Sequence, residues 1–331
     1  MATTKSKKST TRKTTKSSTK TASTKPKTAA SKTASKAVTK PAVKPVDKPV
    51  AAPAEPQTSA NPFKGFFERK FDASENILTI FKSPRIYGAI LGEVIGTMLI
   101  TLIFLTLGVY QPLYILFGVI AVSAAVFAFS GANLNPIVTV GMMATRRMSI
   151  IRGVVYILAQ VLGAWLAFLI ASAFINSAGD AALGELPKMS EVEPEKFWMV
   201  TLLELVGSII LAFFYARAHA YKRSTLTFAF MYGAGVCVAM LFVIVMSSSF
   251  LGLQNNFMLN PAAALMYQIL PTGGESFGEV LGDVCLALVT YVVLPMLGGF
   301  IGFAISDVAA RLSGEKVCCG CKECAAKKVA K

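Results

Sequence analysis

A chain of 331 residues that is 54% hydrophobic and only 15% charged, with a mean hydropathy of +0.57, has too little polar surface for a soluble fold and reads as a membrane protein. The net charge of +15 would suit a nucleic-acid binder, but residues 1–60 hold 14 Lys and Arg against Asp47 and Glu55, so nearly all the excess sits in one terminal stretch and the rest is close to neutral. Two of the six cysteines, Cys237 and Cys285, stand alone in apolar runs and four crowd the C-terminus, a pattern that excludes a secreted disulfide framework.

Residues 1–84 open the chain as a basic tail with a short membrane-proximal segment. Lys, Thr, Ser and Ala repeat, Pro recurs from Pro41 to Pro56, and the first 60 residues contain no aromatic side chain, so disorder is expected there. No apolar core follows the early lysines, so this is not a secretory signal. The tail reads first as a solvated arm that helps set topology, then as a binder of anionic lipid; nucleic acid is not expected as a partner.

Six apolar stretches then approach or meet the ~20 residues that a bilayer core requires. They run near Ile86–Val109, Leu113–Phe129, Gly153–Ile175, Phe197–Ala216, Leu226–Met246 and Val280–Ala304. Threaded in order, the spans collect the basic tail, Arg146, Arg147, Arg152, Lys222, Arg223 and the terminal lysines on one side. The other side receives Asp180, Glu185, Glu191, Glu193, Glu195, Glu275 and Glu279. The positive-inside rule makes the basic side cytoplasmic and places both termini there, in a cell membrane.

The chain also repeats itself. Glu93-Val-Ile-Gly96-Thr97 in the first span recurs as Glu204-Leu-Val-Gly207-Ser208 in the fourth, Asn135-Pro136-Ile137 as Asn260-Pro261-Ala262, and Val161-Leu162-Gly163 as Met296-Leu297-Gly298. An odd number of spans per repeat inverts the second copy, giving a 3+3 inverted repeat of about 85–176 and 197–310. Asn is a strong N-cap and Pro suits the first helical position, so each Asn-Pro pair reads as a helix start. The apolar runs that follow, Ile137–Ala144 and Ala262–Leu270, are too short to span, so two half-helices enter from opposite faces and meet at mid-depth. Their dipoles and the two Asn amides would present positive potential and hydrogen-bond donors there. Glu93 and Glu204 could couple protons, but their symmetric placement suits carboxylates that accept from the loop backbone ahead of each half-helix.

These residues, with Gly92-Glu93-x-x-Gly96-Thr97, Ser130 through Thr139, Ala159-Gln160-x-x-Gly163-Ala164 and Pro295-x-Leu297-Gly298, resemble the major intrinsic protein family of aquaporins and glycerol facilitators. The resemblance covers about residues 85–310 and implies an all-α membrane protein with six transmembrane helices, two re-entrant half-helices, a pore in each protomer and a homotetramer. Ile137 stands where the family usually has Ala, and Asn133 where it often has His. Ala263 stands where the family normally places the Arg of the outer constriction, whose other positions fall at Ile115, Ser248 and Phe257. The implied function is a passive channel for water and glycerol-like polyols with an uncharged mouth and no cofactor. An ion-coupled secondary transporter and a closed tethering relative are the alternatives, and no residue pattern suggests an enzyme.

Three smaller signals remain. Cys318, Cys319, Cys321 and Cys324 at the start of a Cys/Lys-rich tail, residues 311–331, are a weak metal candidate, because four ligands within seven residues leave little chain to wrap an ion. His219 reads as a solvated loop residue beside Arg217, with a pH gate as the alternative. Trp165 and Trp198 read as packing or interface residues.

Overall fold

The computed structural model describes residues 77–107, 112–178, 194–220, 224–252, 257–269 and 284–315, and among these every regular element is helical. A short α1 (Ile77–Lys82) leads into α2 (Pro84–Leu107), followed by α3 (Pro112–Ser130), the half-helix α4 (Pro136–Ala144) and α5 (Ile150–Ala178). A 3-10 turn, Pro194–Lys196, starts α6 (Phe197–Ala220), and α7 (Thr225–Met246) continues through a π turn at Ser247–Leu251. The second half-helix is split: α8 (Pro261–Ala264) widens into a π turn at Leu265–Ile269. The last span, Val284–Leu312, carries a π turn at Val289–Val293 before α9 (Leu294–Leu312).

Six of these helices are long and apolar enough to cross a membrane. Apolar side chains cover both faces: Ile115 and Val119 of α3 are buried, while Leu113 and Phe117 on its other side are exposed, as expected where the outer face meets lipid. Trp165 and Trp198 are also on the exposed surface. The helices run past the apolar stretches expected from sequence at the basic end, because backbone hydrogen bonding does not stop where hydropathy falls. Thus α9 extends beyond Ala304 through Asp307 and Arg311 to a turn at Ser313-Gly314, and α6 carries Arg217 and His219 in its last turn. His219 is therefore a half-buried helical residue stacked on Tyr215, not a loop residue.

The two halves pack alike. Span one lies against span three and span four against span six, while spans two and five face each other across the centre. A Cβ added at Gly163 would sit 2.4 Å from the Val94 carbonyl oxygen, and one at Gly298 would sit 2.8 Å from that of Leu205. Val94 and Leu205 each follow the repeat glutamate, so the same backbone-to-backbone approach is made twice. The half-helices exchange sides: α4 packs on α9, and α8 packs on α5.

Candidate functional site

Each half-helix begins at an asparagine in extended conformation whose side chain caps the first turn. Asn135 Oδ1 accepts from the Ile137 N–H at 2.9 Å, and Asn260 Oδ1 accepts from the Ala262 N–H at 3.1 Å. The halves join at these caps, where Asn135 Nδ2 donates to the Leu259 carbonyl at 2.7 Å. A primary amide has two donor hydrogens, so Asn135 keeps one, and Asn260 Nδ2 donates to none of the described residues.

The residue before each cap is strained. Leu134 and Leu259 have φ of 58° and 45°, a left-handed conformation that costs a non-glycine residue ~1–2 kcal/mol. A two-part grip holds each one. The Glu93 carboxylate accepts from the N–H groups of Asn133 at 3.0 Å and Leu134 at 2.7 Å, and the Leu134 side chain fills the space left by Gly96 one turn along. Glu204 likewise accepts from Met258 and Leu259, whose side chain occupies the space beside Gly207. The repeated Glu-x-x-Gly is thus one device, with the carboxylate fixing the backbone and the missing Cβ admitting the side chain.

The grips differ in strength. Gln160 Nε2 gives Glu93 a further hydrogen bond at 2.7 Å and reaches Thr139 Oγ1 at 2.9 Å, whereas Pro295 in the second repeat has no such donor. Thr97 donates to the Leu134 carbonyl at 3.3 Å, but its counterpart Ser208 has a buried hydroxyl without a partner. The first loop is held further by tyrosines. Tyr156 donates to the Ser130 carbonyl at 2.9 Å, Tyr215 to the Gly131 carbonyl at 3.1 Å and to Asn133 Oδ1 at 2.9 Å, and Tyr232 to the Asn133 carbonyl at 3.0 Å.

At the basic end, Arg147, just beyond α4, bonds Asp307 of α9, donates to the Ala216 carbonyl at 3.3 Å and lies 5.1 Å from the Phe303 ring centroid. These tyrosines and this ion pair escaped the sequence reading. A polar tip near the end of an otherwise apolar span was the available signal.

Ile115 and Phe257 are buried in one apolar cluster, and Ala263 is 5% exposed on α8. Ser248 is exposed in the π turn, its hydroxyl bonded back to the Ile244 carbonyl at 2.7 Å, while Ser247 before it is buried. Cys318, Cys319, Cys321 and Cys324 lie outside the described residues, among which no cluster of three metal-binding side chains occurs.

Six spans enclosing two capped half-helices that meet at their N-termini define an aquaporin-like helical membrane fold. A profile of the family described as Major intrinsic protein matches residues 80–309. The chain belongs to that family, whose members are channels and not enzymes.

The chain is 26% identical to aquaporin AqpM of Methanothermobacter marburgensis over 208 residues, covering 60% of this chain and 75% of that one. It is 46% identical to aquaporin-1 of Ovis aries over 55 residues, a match spanning 17% of this chain and 20% of that protein. The X-ray structure of the aquaglyceroporin from Plasmodium falciparum covers 68% of this chain and 95% of its own length at 17% identity, with a TM-score of 0.44.

Proposed function

We propose that the chain is a passive channel for water and small uncharged solutes such as glycerol. The observation that carries this reading is the seam between the half-helices: Asn135 retains one amide hydrogen and Asn260 both, beside two helix N-termini. Such a site donates to a solute oxygen and repels cations. Glu93 and Glu204 are turned to the loops, which favours a supporting role for them over proton coupling.

The outer mouth is assigned to Ile115, Ser248, Phe257 and Ala263. With Ala263 in place of a guanidinium, none of the four carries a charge, so the mouth selects by width and polarity. The channel works as a homotetramer in the cell membrane, with its basic end and both termini cytoplasmic.

Stopped-flow light scattering on proteoliposomes, without an ion gradient, tests the reading: rapid water efflux and glycerol re-swelling at low activation energy are expected. Permeation that appears only under a proton or sodium gradient would overturn it. Ala263→Arg is expected to slow glycerol more than water, and equal glycerol-to-water ratios in variant and parent would remove these four residues from the mouth.

A further inference from the structure

We propose that solute selection has a second seat on the basic side of the asparagine seam, an inner constriction formed by Tyr215, Phe228 and Tyr232 against the loop that leads to the first half-helix. The inference rests on the channel reading and adds to it the residues that set the width of the inner half.

Ser130 ends α3 at the basic end and Asn135 caps α4 at the seam, so residues 131–134 climb from one to the other. A solute that leaves the seam toward the basic end travels along them. One side of this loop is closed: Glu93 of α2 takes the N–H groups of Asn133 and Leu134, and Gln160 of α5 backs Glu93. The carbonyls of Gly131 and Asn133 turn instead toward α6 and α7, where Tyr215 and Tyr232 meet them. The path therefore runs between these carbonyls and these two spans.

Three rings fill that space. Tyr215 and Tyr232 lie 4.9 Å apart between centroids at 89° to each other, and Phe228, one turn before Tyr232 on α7, stands edge-on to Tyr215 at 5.3 Å. Phe127 of α3 closes on Phe228 at 4.5 Å, so the rings reach from α6 across α7 to α3. Tyr215, Phe228 and Tyr232 are all buried. Rings in edge-to-face contact leave no gap of solute width, and a solute passes only as they part.

The hydroxyls make this a sieve and not a plug. Tyr215 donates to the Gly131 carbonyl and Asn133 Oδ1, Tyr232 donates to the Asn133 carbonyl, and each phenol oxygen keeps its acceptor lone pairs. Water or a polyol hydroxyl both donates and accepts, so it inserts between a phenol and a loop carbonyl and leaves both satisfied. A solute of the same width without a donor strands the carbonyl it uncovers.

Proteoliposomes of the full chain carrying Tyr232→Cys test the constriction by stopped-flow light scattering before and after benzyl methanethiosulfonate. The mixed disulfide formed with a thiol puts a ring back, and dithiothreitol removes it. Expected is a glycerol-to-water permeability ratio about threefold or more above the parent's, which falls on modification and recovers on reduction, while the parent with its native cysteines stays within about twofold throughout. A fold that is merely loosened does not follow this reversible cycle. Should Tyr232→Cys fail to fold, Phe228→Cys, which gives up no hydrogen bond to the loop, is expected to show the same cycle.

Fast permeation in the parent, with a ratio in both variants that the reagent leaves unchanged, overturns the inner constriction and leaves the channel reading standing. No permeation of water or glycerol by the parent or by variants that melt cooperatively overturns both.

Discussion

Replacing Glu93 by Gln removes one of two carboxylate oxygens that together accept from Asn133 N–H, Leu134 N–H and Gln160 Nε2. The new NH2 group faces donors, so at least one bond is lost and one buried donor is stranded. At ~1.5–3 kcal/mol for a bond to a charged group and ~1–3 kcal/mol for the stranded donor, the cost is ~2.5–6 kcal/mol. Glu204→Gln faces the N–H groups of Met258, which is only partly buried, and Leu259, and has no side-chain donor to strand, so it is expected to cost ~2–3 kcal/mol. Thermal unfolding of the purified variants in detergent is the assay. At about 2–4 °C per kcal/mol, Glu93→Gln is expected to melt several degrees below Glu204→Gln. A Glu204 variant as destabilised as the Glu93 variant, or more so, would refute the unequal grips.

Two further outcomes are expected. Gly163→Ala places a Cβ against the Val94 carbonyl and should cost ~1–3 kcal/mol, whereas Gly88→Ala meets nothing within 4 Å and should melt at or above the parent temperature. Removing Arg147 alone or Asp307 alone should cost ~3–5 kcal/mol each by stranding its partner, and the paired Arg147→Leu, Asp307→Leu variant less than the sum; unfolding in a double-mutant cycle measures the difference.

What the sequence disclosed was whatever its own repetition made visible. Glu93 and Glu204, Gly96 and Gly207, and the two Asn-Pro starts stand out because a second copy puts each residue type back in register. The broken second half-helix did not show: the run from Ala262 to Leu270 is apolar but for Tyr267 and Gln268, and the widening after Ala264 falls within its apolar part. Tyr156, Tyr215 and Tyr232 were hidden for a different reason. Each acts on a carbonyl at least 26 positions away, so nothing local marks them; Tyr291 stands in register with Tyr156, but a tyrosine inside an apolar span is indistinguishable by composition from a packing residue. The reach of α9 to Asp307 was missed because the partner that holds a charge there, Arg147, comes 160 positions earlier.

The contacts of α4 also bear on the order in which the chain can be completed. Gly141 lies against Phe303, Gly299 lies against the Ile137 carbonyl, and Arg147 finds its counter-ion on the same last helix. A nascent chain with three spans inserted therefore has a half-helix whose wall has not yet been made, and whose capping asparagine lacks the Leu259 carbonyl. The first half cannot mature by itself during synthesis. Truncations that stop before α9 should leave two unfinished halves instead of one finished repeat, and quality control would meet them as such.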